Sequence, residues 1–300
     1  PKIQAKASRH KAMSYERMKK REVELAAEVD RWLKAAEAAD AEEDKLYGSR
    51  RGDEMPDWVA DKQKRLAKIR AAKAELEAEA KAAAAEEMRR RAAAEERRIA
   101  EGRKKNGKTP APPKQEPDGK AQRNFTDPES RILKTKDGYI QGYNAQAAVD
   151  AEAQIIVAHG LTPSMSDQDQ FVPLLDTTED NLDRKPREAS ADAGYCSEAN
   201  LAALAARDIR GYIATGRAKH PSDVKRKITG PLTKAMRDKL KRAGWRSRYR
   251  LRKQVVEPVF GQIKQARGFR QFLLRGIEKV TAEWALICTA HNLTKLATAV

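Results

Sequence analysis

Between residues 57 and 101 the chain is mostly alanine, glutamate, lysine and arginine, and a stretch of that kind is built to be helix. Leu66, Ile69, Ala72, Leu76, Ala80 and Ala83 recur along one seam at helical spacing. At 1.5 Å per residue such a helix extends about 65 Å, far more than it can bury alone. Over residues 13–47, Leu25, Val29, Trp32 and Ala36 form a matching stripe. Gly48–Pro56 reads as the turn between the two, with Pro56 suited to a first helical position. An antiparallel coiled-coil hairpin is therefore expected over 13–101, a spacer or assembly arm whose charges balance.

Much of the 40% hydrophobic content is alanine in this first third, so the packed core has to lie later. Residues 102–130 are rich in Pro, Gly, Lys and Asn and read as a flexible linker. Past Ser130 the pattern turns strand-like. Arg131–Thr135, Tyr139–Val149 and Gln154–Leu161 are rich in Ile, Val, Tyr and Thr, and Asp137-Gly138 is a hairpin signal. Asp150 falls at the next turn and reads as a turn residue. Asp167 and Asp169 precede Phe171, Val172, Leu174 and Leu175, where acids suit a helix start.

A strand of small residues then runs to Asp192, followed by a Gly194 turn, a helix over 200–206 and a short strand over 211–215. Residues 216–244, broken by Pro221, Gly230 and Pro231, read as irregular and basic. Val256, Val259, Phe260 and Ile263 mark an amphipathic helix with Pro258 in its first turn, and Val280, Trp284, Ile287 and Leu293 a closing helix. His291 and Asn292 on that last helix are expected to pack or cap. The element order is mixed α/β.

Charge is the second constraint. The formal net charge is +17, yet 20 of the Lys and Arg lie between Arg210 and Arg275, against three acids there, Asp223, Asp238 and Glu257. The remainder of the chain is balanced, so the surplus marks a polyanion surface. Glu257 stands alone among these cations as either an ion-pair partner or a metal ligand, with Gly261 and Lys264 on its stripe of the helix. Asp192 sits where a strand gives way to a helix, the edge at which open α/β sheets place chemistry. No run of 18 apolar residues occurs, and two cysteines, Cys196 and Cys288, supply neither a disulfide framework nor a zinc site. A protein of the reducing cytosol, away from membranes, is expected.

Asp192-Ala193-Gly194-Tyr195, and Tyr249, Arg252 and Glu257 followed by Lys264, resemble the second and third acidic blocks of bacterial insertion-sequence DDE transposases. In particular they resemble the group with a long helical insertion after the first acid. The likeness extends through residues 8–15 (SRHKAMSY), 137–150 (DGYIQGYNAQAAVD) and 290–296 (AHNLTKL), nearly the whole chain. One spacing departs: four residues separate Arg252 from Glu257 rather than three, whereas Lys253 fits the three-residue count.

The resemblance implies an RNase H-like core over 131–300, with residues 1–12 entering it at the end of its first strand. It implies a transposase that cuts and joins DNA at insertion-sequence ends by in-line phosphodiester displacement, with two Mg²⁺ ions, or Mn²⁺, between its acids. Asp192 and Glu257 are then the catalytic and metal-holding acids. Tyr249, Arg252 and Lys264 are expected on phosphates, with Lys253, Arg267 and Arg270 extending the track. Partners are double-stranded DNA, at transposon ends and target, and further copies of the chain. The family's first acid lies in an AspGlyThr step just before the lysine matched by Lys2, outside these residues, so the 300 residues are expected to bind DNA without cleaving it. The alternative is a non-enzymatic basic nucleic-acid-binding protein with a coiled-coil assembly arm.

Overall fold

Strand β5, Gly138–Val149, is the element on which the larger part of the protein is laid out. A computed structural model of the chain describes residues 1–47, 57–102, 107, 110–135, 137–216, 230–243 and 248–298. They form two units, one of Pro1–Arg9 with Glu129–Val300 and one of His10–Pro128.

In the first unit, the period of two along β5 puts Tyr143 and Ala145 on one face and Asn144 and Gln146 on the other, all four buried. Strand β5 pairs antiparallel with β4 (Arg131–Thr135), joined to it through the Asp137-Gly138 turn, where Gly138 takes φ 117°. It pairs likewise with β1 (Lys2–Gln4) and with β6 (Ile156–Thr162), the last through a bulge near Ala148 and Val149. Strands β7 (Glu188–Ala191) and β8 (Arg210–Ile213) make a separate parallel pair, joined through helix α4 (Glu198–Ala206). Asp150 serves as the expected turn residue, its carboxylate accepting from the backbone N–H groups of Glu152 and Ala153.

Two apolar cores hold this unit. The first gathers Ile3, Tyr143, Val259, Ile263, Phe272, Val280 and Trp284, from β1, β5, helix α6 (Arg252–Gly261) with the turn and connecting segment after it, and helix α7 (Ile277–Ala297). The second gathers Leu175, Leu201, Leu204 and Ile213 between helix α3 (Phe171–Leu182), α4 and the parallel pair.

Several sequence expectations change here. Residues 231–243 are not irregular but form helix α5, Pro231–Ala243. Gly230-Pro231 starts it rather than breaking the chain, since proline suits a first helical position. The Glu198 carboxylate accepts from the N–H groups of Leu232 and Thr233 at its N-terminus, at 3.1 and 2.7 Å. Pro258 lies in the interior of α6, not in its first turn. Proline has no N–H for the carbonyl four residues back, and that carbonyl, of Gln254, accepts instead from Gln154 Nε2 at 2.8 Å. A π-helical turn, Gln262–Ala266, follows and ends at Gly268, φ 72°.

Leu293 is 61% exposed, outside the core assigned to it. The inner face of α7 runs through Val280, Trp284, Ile287, Cys288 and His291, and Leu293 lies two positions past His291, on the outer side. His291 and Asn292 do pack and cap. His291 is fully buried with Nε2 3.0 Å from the Gln154 carbonyl, and Asn292 brackets both backbone groups of Ile156.

In the second unit, helix α1 (Tyr15–Tyr47) packs on helix α2 (Asp57–Ala100) through Met18, Leu25, Leu66, Ile69 and Leu76. Glu22 pairs with Arg70 and Lys73, and Glu28 with Lys62, so partner numbers fall along α2 as they rise along α1. Ala83 is exposed and Ala84 takes the buried position in its place. Part of the segment read as a flexible linker is built in. Strand β3 (Gln122–Asn124) pairs antiparallel with β2 (Ala12–Ser14), and Arg123, Asn124 and Asp127 are buried. Ion pairs from Arg123 to Glu75 and Glu79 order this stretch, and composition read for apolar content does not display them. The turn expected at Gly48–Pro56, Pro221 and the Ala36 side chain lie outside the described residues.

Candidate active site

Strand β7 ends at Ala191, and Asp192 follows in extended conformation before a single 3-10 turn, Ala193–Tyr195. Asp192 Oδ1 accepts the Gly194 N–H at 2.8 Å, and Ser197 then caps α4 by accepting from the Asn200 N–H at 3.1 Å. Its carboxylate is thereby set at the strand end, half-buried.

A second carboxylate lies beside it. A Cβ on Gly194 would stand 2.7 Å from Asp167 Oδ2 and 3.0 Å from Asp192 Oδ1. Asp167 does precede a helical segment, but its side chain makes no cap bond there. It turns to β5 instead, Oδ1 accepting from Asn144 Nδ2 at 2.6 Å and Gln146 Nε2 at 2.9 Å. The Tyr195 hydroxyl donates to Gln146 Oε1. Burial first, and then the charges of Asp167 and Asp192, push the Tyr195 phenol up, so it remains a proton-bearing donor. Gly194→Ala is expected to push the two carboxylates apart while leaving both cores intact. Mn²⁺ affinity should fall at least tenfold with a melting temperature within about 3 °C of the parent, as read by calorimetric titration and thermal melts.

The end of β1 belongs to the same neighbourhood. Pro1, just before β1, is within range of the charges of Lys264, Asp167 and Asp192. Lys264, expected on phosphate, is half-buried with Nζ donating to the Lys2 carbonyl at 2.8 Å. Burial and then Arg270 depress its pKa.

Glu257 is exposed on α6, two positions before the buried Val259. On the same stripe a Cβ at Gly261 would meet nothing within 4 Å, which leaves the approach between Glu257 and Lys264 open. The 3-10 turn Arg248–Leu251, just before α6, packs on β7 and β8 and carries Tyr249, which is half-buried. Lys253 is exposed, and the Arg252 side chain lies outside the described residues. Arg267 is less available than expected. Its Nη1 is buried, and its charge, behind burial, helps lower the His291 pKa. Arg270 is exposed but folds back, Nε on the Lys264 carbonyl at 3.2 Å and Nη2 on the Gln265 side chain.

The structure thus draws Asp192 together with Asp167 and Tyr195, while Lys264 turns to the Lys2 backbone. Sequence spacing reads Asp167 only as an acid at a helix start, whereas it is the acceptor of two buried amides of β5. Among the described residues no three His, Cys, Asp or Glu side chains form a group able to hold a metal ion by themselves. A hard divalent ion keeps several waters and takes one or two carboxylates, so an all-oxygen pair at a strand end fits such an ion in kind.

No helix among the described residues is long and apolar enough to cross a membrane. No curated protein and no solved structure matches the chain. The profile of the family described as the transposase DDE domain matches residues 112–293, more than half of the 300. That span takes in Asp192 with its β7 strand, and Glu257 with α6. With its mixed antiparallel and parallel strands and an acid at a strand end, the chain belongs to the transposase DDE domain family.

Proposed function

We propose that the protein is the body of a DNA transposase that cuts and joins DNA at insertion-sequence ends, with Asp192 and Glu257 as its metal-holding acids. The observation that carries this reading is the position of Asp192. It stands at the end of β7, the strand on which the turn leading into α6 packs, and that turn and helix belong to the segment 210–275, where 20 cations meet three acids. Divalent ions of the Mg²⁺ class, two in a complete site, would supply charge stabilisation at the attacking and leaving oxygens of the phosphodiester.

The chain's own residues do the rest. Tyr249, Arg252 and Lys253 lie at the start of α6 near the parallel strands, where they would seat the backbone of a duplex end. Lys264 and Arg270 lie together by β1, where they would extend the phosphate track, and Arg267 backs them from inside. Such contacts position DNA without reading its sequence. The core over 131–300 is read as RNase H-like, the α1–α2 pair over 13–101 as an assembly arm, and the working form as an oligomer that holds two DNA ends. A cytoplasmic location agrees with the free cysteines Cys196 and Cys288.

The 300 residues are expected to bind duplex DNA with an affinity that falls steeply with salt. DNA binding read by fluorescence anisotropy across a salt series, with Mn²⁺ binding read by titration, tests the reading. Asp192→Asn and Glu257→Gln should each abolish Mn²⁺ binding while DNA binding is retained. Mn²⁺ binding unchanged in both variants, with DNA binding intact, would favour a non-enzymatic nucleic-acid-binding protein. Mg²⁺-dependent nicking that disappears with Asp192→Ala would show that these residues suffice for cleavage.

A further inference from the structure

Two amides buried on one face of a strand need partners, because an unpaired polar group out of water costs roughly 1–3 kcal/mol. Asn144 and Gln146 are each 2% exposed, on the face of β5 opposite Tyr143 and Ala145. Both direct their NH₂ groups at one atom, Asp167 Oδ1. The oxygen of Gln146 accepts the Tyr195 hydroxyl, and the Tyr195 backbone N–H donates to the Asp192 carbonyl at 3.3 Å. Alongside runs a second set of bonds. Gln168 Nε2 donates to the Cys196 carbonyl at 3.2 Å, and Asn200 Nδ2 donates to the carbonyls of Gln168 and Tyr195, each at 2.8 Å. The Tyr195 ring also packs on Phe171, centroids 5.8 Å apart.

These bonds join parts that the strand ladders leave separate. Strand β7 pairs with β8, and among the described residues it has no ladder to the antiparallel sheet. The polar strap from β5 through Gln146 to Tyr195, braced by Asp167, is what ties the Asp192 turn to β5 with directional bonds. An amide–carboxylate–phenol chain of this kind fixes a geometry that apolar packing alone leaves loose.

We propose that Asp167 is a positioning residue for Asp192: its Oδ1 locks the two amides of β5, the locked Gln146 holds Tyr195, and Tyr195 sets the turn that presents the Asp192 carboxylate. This rests on the reading above in which Asp192 holds a divalent ion. Asp167 acts through the strap, with its second oxygen on the Gly194 side, and does not itself need to touch the ion.

Mn²⁺ titration of the 300-residue protein, with free Mn²⁺ read by electron paramagnetic resonance, tests it, with circular-dichroism melts on every variant. Asp192→Asn should abolish binding. Asp167→Ala and Tyr195→Phe should weaken it by about 10- to 100-fold, the range seen when partners behind a metal ligand are removed. Asp167→Asn keeps an oxygen for the two amides and should stay within about fivefold of the parent, the loss expected from one charge several ångströms away in a wet site.

No Mn²⁺ binding by the parent protein, or binding unchanged in Asp192→Asn, sinks the Asp192 reading itself. Binding lost in Asp192→Asn but unchanged in Asp167→Ala and Tyr195→Phe overturns only the positioning role. Asp167→Asn as defective as Asp192→Asn also overturns it, because Asp167 would then be a ligand. If Asp167→Ala does not fold, Tyr195→Phe, which removes a single hydroxyl, carries the test. A fall in affinity no greater than the lost folded fraction counts against the proposal.

Discussion

Replacing Trp284 with alanine is expected to destabilise the protein by about 4 kcal/mol, close to three powers of ten in the unfolding constant. Trp284 is fully buried at the centre of the first core. Its ring is stacked with Phe260, centroids 6.3 Å apart and planes 14° from parallel, and its Nε1 donates to the Gln146 carbonyl at 3.0 Å. Truncation would remove that contact area, leave a cavity between α7 and β5, and deprive the Gln146 carbonyl of its donor. Urea denaturation followed by circular dichroism measures the loss, and Trp284→Phe should cost less because most of the volume remains. A change below about 1 kcal/mol in the alanine variant would mean that α7 does not pack on β5 as described. Because Gln146 also holds Tyr195 and Asp167, a change at Trp284 reaches the candidate site without touching it.

Gly142→Ala is expected to be nearly as damaging for a different reason. A Cβ there would stand 2.2 Å from the Ile3 carbonyl oxygen and 3.1 Å from the Ile3 carbonyl carbon, both backbone atoms of β1. A side chain can rotate out of such a contact, but a paired strand can yield only by leaving its partner. The expected cost is about 3 kcal/mol, the upper part of the range for overpacking. The backbone N–H of Ala5, bonded to the Gln141 carbonyl at 2.9 Å, should lose its protection from hydrogen exchange. Protection retained at Ala5 would show that β1 sits elsewhere. Detachment of β1 would also release Lys264 from the Lys2 carbonyl.

Much of the fold was legible because it depends on period. The three antiparallel strands, the Asp137-Gly138 hairpin, the two long helices and the closing helix each repeat apolar or turn-forming residues at the spacing their geometry demands. Where the reading failed, a local exception had overridden the period. Pro231 reads as a breaker, although proline also starts helices. Pro258 sits inside a helix because Gln154, about a hundred residues away in the chain, satisfies the carbonyl that proline leaves open. Leu293 shares the chemistry of the core residues but falls on the outer face of its helix.

For the site, Asp192 was legible because a strand of small residues, an acid, a glycine and a helix cap form a local pattern. The segment around Glu257 was legible from its isolation among cations. Asp167 was not. Its partners, Asn144 and Gln146, lie more than twenty positions earlier on a strand, and its neighbour Asp192 lies twenty-five positions later. Local spacing therefore reads it only as an acid at a helix start. By itself the sequence determined most of the helices and strands, where the positive charge concentrates, and which acid ends a strand, since each depends on residues close together in the chain. Only the tertiary structure decided which second carboxylate stands beside Asp192 and which way Lys264 and Arg267 turn. Those outcomes depend on which buried polar groups find partners when distant strands meet, and a donor and acceptor brought together across the fold leave no period in the chain.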